Sequence, residues 1–276
     1  MTFTIKFWGV RGSIACPLQS HMGYGGNTSC IELNMGSRRV VLDAGTGIRA
    51  LGQNFLEEDA PHIDLFLTHS HWDHINGFPF FQPCYDPRRA ITIKAGHLGD
   101  RGNIRDVLSQ QMTEAVFPVP IEAMQATLTF EDFAAGDSFA LGPDIAVRTA
   151  PLNHPNGATG YRFDHGGLSA CYITDTEHVP ANGLDERILG LIENADVVIY
   201  DSTYTDEEMQ TKTGWGHSTW TEGMRLCQEA GAKRLAIFHH DPDHDDTFMD
   251  KLKYEAEKRW SGNFVTREHM KIDLED

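Results

Sequence analysis

The chain has 276 residues, of which 40% are hydrophobic, and this is typical of a globular protein with one large domain or two small ones. The formal net charge is −17, and no stretch is dense in lysine and arginine. Because proteins bind nucleic acid largely by neutralising its phosphates, this charge argues against a large nucleic-acid surface. A small anionic substrate remains compatible with the composition if a local positive charge receives it.

The sequence also indicates where the protein works. It has no apolar run as long as a membrane span, and its start, MTFTIKFWGV, lacks the charged-then-apolar pattern of a signal peptide. The five cysteines include no CxxC pair, which favours reduced, buried thiols over disulfides or a thiolate zinc site. We therefore expect a cytoplasmic protein without a membrane partner. The sequence shows no repeat or linker, so we expect a single domain over residues 1–276.

Short apolar runs recur along the chain, and each is followed by a polar residue that can bind a metal. In chain order they are RVVLDAG with Asp43, IDLFLTH with His69, AVRTAPLNH with His154, ACYITD with Asp175, DVVIYD with Asp201, and LAIFHH with His239 and His240. Continuous apolar runs of this length are typical of strands buried on both faces. We expect their polar ends to converge at one edge of the fold.

Apolar residues with helical spacing lie between several of these runs. They predict helices over 48–55, 104–112, 184–192, 224–230 and 249–256, the fourth ended by Gly231. Buried strands interleaved with amphipathic helices predict a layered α/β domain.

The stretch FLTHSHWDHINGFPFF, residues 66–81, crowds three histidines and an aspartate between two apolar segments. Burying a polar group without a partner costs a few kcal/mol, and a metal ion removes that cost. His69 and His71 can point the same way from an extended segment, whereas Asp73 and His74 follow where the chain bends. Because one tetrahedral ion would not use all four of these side chains, two metal ions are predicted. The alternative is a histidine-rich surface loop, which the apolar flanks disfavour.

The motif THSHWDHING, residues 68–77, resembles the HxHxDH signature of the metallo-β-lactamase superfamily, and the other motifs follow in that superfamily's order over nearly the whole chain. This resemblance implies a four-layer αββα sandwich. VLDAGTG resembles the first motif, with Asp43 as a carboxylate that steadies the metal loop. The implied ligands are His69, His71 and His154 for one metal, Asp73, His74 and His239 for the other, and Asp175 bridging both.

The resemblance leaves the metal and the last ligand open. Zinc is the expected ion, with manganese and iron as alternatives for a ligand set of this chemistry. His240 and His244 follow His239 closely and are alternatives to it. Two divalent ions with two aspartates keep the centre positive, so it can receive an anion.

The segment from Asp201 to His240 resembles the tRNase Z and phosphodiesterase branch, which places a GHST-type motif before the last ligand. The similarity implies that a hydroxide bridging the metals attacks phosphorus, with Asp73 as a ligand that also orients the attack. It implies His217 as the proton donor to the leaving oxygen. Asp201 and Glu222 are both candidates for the carboxylate that orients His217.

The tRNA-processing members of that branch carry a long basic arm, and residues 75–153 and 176–216 contain neither a glycine-rich extension nor a basic cluster. We therefore expect a hydrolase of small phosphodiesters or cyclic nucleotides rather than of tRNA. The alternatives are a thioester, lactone or β-lactam hydrolase of the same superfamily and a metal-bound sensor without turnover. A homo-oligomer is left open.

Two further segments have open interpretations. Arg11, Asn27 and Thr28 lie in glycine-rich loops that either contact a substrate phosphate or simply form tight turns. Residues 112–120, MTEAVFPVP, are apolar enough for the wall of a lid, with Phe117 as the residue of interest, although plain core packing is the favoured explanation.

Overall fold

The computed structural model describes residues 2–56 and 62–275, and within them the apolar runs form two seven-stranded sheets. The first sheet has the order β14-β1-β2-β3-β4-β5-β6. Its strands are β1 Phe3–Gly9, β2 Cys30–Met35, β3 Arg38–Leu42, β4 His62–Leu67, β5 Ala90–Ala95, β6 Thr127–Asp132 and β14 Lys271–Leu274. Pairing is antiparallel from β14 to β3 and parallel from β3 to β6.

The second sheet repeats this pattern and has the order β13-β12-β11-β10-β9-β8-β7. Its strands are β7 Ser138–Ala140, β8 Ile145–Leu152, β9 Ala158–His165, β10 Leu168–Ile173, β11 Val197–Asp201, β12 Leu235–Phe238 and β13 Asn263–Val265. Pairing is parallel from β13 to β10 and antiparallel from β10 to β7. Each sheet is therefore half parallel and half antiparallel.

Helices cover the outer faces of both sheets. The α-helices of the described residues are α1 Ile48–Leu56, α2 Trp72–Ile75, α3 Ile104–Gln110, α4 Glu186–Ile192, α5 Asp206–Lys212, α6 Trp220–Glu229 and α7 Asp246–Arg259. The helices α1 and α3 pack on the first sheet, and α4, α6 and α7 pack on the second. Among the described residues, no helix has both the length and the apolar composition needed to span a bilayer.

The centre of the sandwich is an apolar layer between the two sheets. Phe66 of β4 and Phe163 of β9 meet there edge to face, with ring centroids 5.2 Å apart. Phe7 of β1 and Phe238 of β12 also face each other across this layer, at 6.1 Å. Aromatic pairs of this kind add about 0.5–1.5 kcal/mol beyond the burial of their surface. The predicted αββα sandwich is confirmed.

The predicted helices are present, but two of them are shorter than their apolar patterns. The helix α4 begins after Asp185, whose side chain accepts a hydrogen bond from the Arg187 backbone nitrogen and so caps the helix, which leaves Leu184 outside. The helix α3 ends at Gln110, before Met112. As predicted, Gly231 follows the end of α6, with a φ of 69° that favours glycine.

Candidate metal centre

The site lies at one edge of the sandwich, where strand ends from both sheets meet. In the first sheet, β3 and β4 run parallel and lead into Asp43 and His69. In the second sheet, β8, β10, β11 and β12 run in the same direction, and they end at or just before His154, Asp175, Asp201 and His239. The apolar runs that stop on polar residues therefore mark a single edge of the fold.

Three of these strand-end residues adopt a left-handed backbone conformation. The φ angles of Asp43, Asp175 and His239 are 59°, 56° and 63°. For a residue other than glycine this conformation costs about 1–2 kcal/mol. Such strain persists only where surrounding contacts hold it, and it turns each side chain sharply out of its strand into the site. This turn is not visible in the sequence.

The first group of candidate ligands consists of His69, His71 and His154, whose ligand atoms all lie within 4.8 Å of one another. The His71 Nδ1 and His154 Nε2 atoms are 3.0 Å apart. Asp175 Oδ2 faces the same space, 3.6 Å from His69 Nε2 and 3.5 Å from His154 Nε2. These atoms point at a common centre, as metal ligands do.

The second group consists of Asp73, His74 and His239 and adjoins the first. Asp73 Oδ2 lies 3.3 Å from both His74 Nε2 and His239 Nε2. Asp175 Oδ1 is also 3.3 Å from each of these two nitrogens. One carboxylate therefore presents one oxygen to each group, which is the arrangement that a bridging ligand requires.

The hydrogen bonds behind His69 and His239 leave the inward nitrogens of these rings without a proton when the rings are neutral. Thr68 Oγ1 donates to Asp43 and lies 3.1 Å from His69 Nδ1, so the histidine donates to it. Thr203 Oγ1 donates to Asp201 and accepts from His239 Nδ1 at 2.9 Å in the same way. A neutral imidazole that donates from Nδ1 keeps a lone pair on Nε2.

These inward nitrogens are the atoms that a metal would satisfy. The Nε2 atoms of His69, His74 and His239 are buried and have no hydrogen-bond partner. Native proteins rarely leave a buried polar atom unpaired, because doing so costs about 1–3 kcal/mol. The imidazole and carboxylate donors and their orphaned nitrogens therefore fit divalent metal ions.

The ionisation of His69 and Asp175 agrees with this interpretation. Burial lowers the pKa of His69 well below its usual range, so the ring stays neutral. Burial acts to raise the pKa of Asp175, but His239 and His74 outweigh it and hold that pKa well below its usual range. Neutral imidazole and ionised carboxylate are the forms that bind metals. For His74, burial acts to lower the pKa, but Asp175 and Asp73 outweigh burial and raise that pKa well above its usual range.

Asp43 holds the metal loop from behind without facing the metal space. It is fully buried, and its carboxylate accepts from the Thr68 backbone nitrogen at 2.8 Å, from the Tyr172 hydroxyl at 2.8 Å and from His74 Nδ1 at 2.8 Å. It thereby fixes the end of β4 and the orientation of the His74 ring.

Replacing Asp43 by asparagine should lower the affinity of the site for divalent metal by about 10–100-fold, the usual effect of losing such a partner. Asparagine tolerates the left-handed backbone but cannot accept all three hydrogen bonds. The affinity is measured by competition with a chromophoric chelator. Asp196→Asn is the matched control, because Asp196 is a buried carboxylate at the opposite end of β11 that binds Ser169 and Lys233. Equal metal affinity in both variants would show that Asp43 has no such role.

His217 lies beside the two groups, on the loop that leads into α6. Its Nδ1 is 3.0 Å from Asp201 Oδ2, and its ring stacks on that of His239 with centroids 5.0 Å apart. Burial acts to lower the pKa of His217, but Asp201 outweighs it and raises the pKa to about 9. Glu222 is turned away and binds Arg225. Of the two candidate carboxylates, only Asp201 contacts His217.

The two other histidines near His239 face elsewhere. His240 Nε2 lies 2.9 Å from the Thr266 carbonyl oxygen. His244 Nε2 lies 2.9 Å from Glu208 Oε1, and its ring stacks on Phe248. The structure therefore places His239, and neither of its neighbours, in the ligand groups of the described residues.

The glycine-rich loops of the first strand are explained by turn structure. Arg11 is fully buried, and its guanidinium donates to the carbonyl oxygens of Gly25 and His244. Asn27 donates to Glu268, and the Thr28 hydroxyl pairs with Thr46. These contacts hold the loops together and favour the structural interpretation over a phosphate contact.

The same loop nevertheless contributes two residues that the sequence did not reveal. The Ser13 backbone nitrogen donates to Asp73 Oδ2 at 2.7 Å. A Cβ atom added to Gly12 would lie 2.3 Å from the ring of His239, so this position requires glycine. The only sequence signal is a Gly-Ser pair after a strand, which is too common to identify a site.

Known proteins resemble this chain in sequence and in fold. A family profile described as a beta-lactamase superfamily domain matches residues 38–240, a range that contains Asp43 and both ligand groups. Ribonuclease Z from Haloarcula marismortui is 23% identical in an alignment that covers 97% of this chain and 95% of that protein.

Two solved structures share the fold at low sequence identity. The metallo-beta-lactamase fold protein YhfI from Bacillus subtilis superposes with a TM-score of 0.75 at 20% identity, covering 99% of both chains. A diphosphatase from the PhnP family superposes with a TM-score of 0.69 at 17% identity, covering 99% of this chain and 98% of that chain. At these identities the likeness concerns the fold.

Proposed function

The chain belongs to the metallo-β-lactamase superfamily, in the branch of tRNase Z and phosphodiesterase-like proteins, and from this premise we propose that it is a dinuclear metal-dependent phosphodiesterase acting on small phosphodiesters or cyclic nucleotides. The observation that carries the proposal is Asp175, whose two oxygens face two adjoining groups of ligands. The proposed ions are zinc, with manganese or iron as alternatives.

The metals and the protein have separate tasks in this proposal. When bound, two divalent ions would supply Lewis acidity toward the phosphoryl oxygens and an activated water. Asp73, held by the Ser13 backbone nitrogen, would orient that water toward phosphorus. His217, held by Asp201 through Nδ1, would deliver a proton from Nε2 to the leaving oxygen.

The preference for small substrates rests on charge and chain length. The net charge of −17 opposes a long polyanion, whereas the centre itself would stay positive with its ions bound. Residues 75–153 and 176–216, all of which the structure describes, run through elements of the sandwich and their connections. Both stretches lack the basic cluster that would suit a tRNA arm.

Two further statements belong to the proposal. Residues 1–276 would act as one hydrolase domain, because both sheets contribute ligands to the same centre. The location would be cytoplasmic, which is supported by five buried cysteines that are free in the structure.

The metal-loaded protein should hydrolyse bis(p-nitrophenyl) phosphate and 2′,3′-cyclic nucleotides and should be a poor catalyst of precursor tRNA trimming. The activities are measured side by side with a thioester, a lactone and a β-lactam, before and after treatment with a chelator. Chelation should abolish turnover, and added zinc or manganese should restore it. Efficient tRNA trimming, or greater activity on the thioester, lactone or lactam, would contradict the proposed substrate class. If the protein contains its full complement of metal but hydrolyses none of these substrates, the alternative of a metal-bound sensor without turnover is favoured.

A further inference from the structure

An apolar groove opens on the surface directly beside the metal loop. One wall is α2 with the turn after it, and the other is α3 with the segment after it. The groove has a volume of about 530 Å³, within the range of small-molecule sites. Its apolar lining includes Trp72, Phe80, Val116 and Phe117.

Three of these side chains are too exposed to belong to the hydrophobic core. Trp72 is 78% exposed, Val116 is 65% exposed and Phe80 is 51% exposed. The rings of Phe80 and Phe117 meet edge to face with centroids 5.3 Å apart, so the two walls touch at this point. A cluster of exposed apolar side chains in a concave surface is typical of a binding site.

The chemistry of the lining selects a neutral, planar ligand. Although the protein has a net charge of −17, none of the described residues that line the groove is charged. Gln110 and Gln111 bring amide groups to the end of α3, and the Gln111 Nε2 donates to the Ile75 carbonyl oxygen. Aromatic faces combined with side-chain amides suit a heteroaromatic ring with hydrogen-bonding edges better than an aliphatic chain.

The groove adjoins the metal centre. Trp72 stands in the chain between His71 and Asp73, one from each ligand group. Ser70 lines both this groove and a smaller cavity of about 220 Å³ whose walls include His69 and His71. A ligand could therefore place a phosphate at the centre and an attached ring in the groove.

We infer that the groove binds the nucleobase of the substrate, with Trp72 as a stacking surface, so that the preferred substrates are nucleotide diesters rather than phosphodiesters without a base. The identification of the bound molecule as a substrate rests on the proposed function. The groove itself can be tested by binding alone.

The test compares adenosine 5′-monophosphate with ribose 5-phosphate, which differ by the base, in calorimetric titrations of the metal-loaded protein. The wild type should bind the nucleotide more tightly. Trp72→Ala should weaken nucleotide binding by about 5- to 150-fold, the range for loss of one base-stacking side chain, and should leave ribose 5-phosphate binding unchanged. Trp72→Phe should recover most of the loss. Tyr254→Ala is the matched control, because Tyr254 is 64% exposed on α7, in the helix layer of the other sheet.

Equal binding of the two ligands to the wild type, or equal weakening of both by Trp72→Ala, would overturn the inference. The inference would also be overturned if a short acyl thioester bound more tightly than adenosine 5′-monophosphate. The same holds if the protein sediments as a dimer that dissociates when Trp72 is replaced, because the groove would then be a dimer interface. Turnover of adenosine 2′,3′-cyclic phosphate and glycerol 1,2-cyclic phosphate tests the proposed function separately. If neither is hydrolysed, the phosphodiesterase proposal fails, while the binding comparison still decides whether the groove takes a base.

Discussion

Replacing Asp175 by asparagine should reduce the metal content of the folded protein and lower phosphodiester turnover by about 10³-fold or more. Loss of a residue that only hydrogen-bonds to a metal ligand already lowers metal affinity or activity by about 10–100-fold, and Asp175 is proposed to be a ligand itself. The substitution removes the negative charge that faces both ligand groups. Asparagine is preferable to alanine because the residue has a φ of 56°, which asparagine tolerates. Metal per folded chain is measured by mass spectrometry after gel filtration, together with turnover of bis(p-nitrophenyl) phosphate.

His69→Ala should lower both quantities as well, and His240→Ala provides its control. Both histidines are buried, but His240 contacts the Thr266 carbonyl oxygen instead of the ligand groups. The control variant should keep its metal even if it unfolds at a lower temperature. If His240→Ala loses metal while Asp175→Asn retains it, the ligand assignment is wrong.

Replacing His217 by alanine should leave the metal content nearly unchanged and lower turnover of a diester with an alkoxide leaving group by about 10²–10⁴-fold. The physical reason is that His217 is proposed to protonate the leaving oxygen, with Asp201 holding its Nδ1 at 3.0 Å. The loss should be much smaller for p-nitrophenyl esters, because p-nitrophenolate leaves without a proton. Rates for both ester types are compared in the same metal-loaded preparations.

This experiment also decides between the proton-donor role and a ligand role for the same residue. Asp175, Asp201, His217 and His239 together have the spacing of a metal site. If His217→Ala lowers the metal content, the residue is a ligand. If it slows both ester types by the same factor, the residue is structural, and the proton donor must be sought elsewhere.

The sequence predicted the strands that carry the site better than the strands at the edges of the sheets. Continuous apolar runs identified β3, β4, β8, β10, β11 and β12, because most of their residues are buried. The edge strand β6, Thr127–Asp132, has no fully buried residue, so its sequence TLTFED gives little apolar signal. The short helix α2 was predicted only as a bend, since four residues show no periodicity.

The candidate ligands came from motif order, but their orientation needed three-dimensional contacts. Thr203 and Tyr172 lie far along the chain from the histidine loop, and common residue types such as these carry no signal for their roles. The choice between His239 and its neighbours likewise depends on which side chain turns out of β12 in a left-handed conformation. Spacing along the chain does not determine that turn.

The division of the proposed ligands between the two sheets has a consequence for how the protein matures. The segment after β4 supplies His69, His71, Asp73 and His74, whereas the segments after β8, β10 and β12 supply His154, Asp175 and His239. Neither half therefore holds all the donors proposed for either ion, and during synthesis the last of these donors emerges only after β12. If the proposed assignment is right, high-affinity metal uptake should follow the docking of the halves. Because an ion that binds only the docked form stabilises it by mass action, the metal should act as a clamp that slows separation of the two sheets.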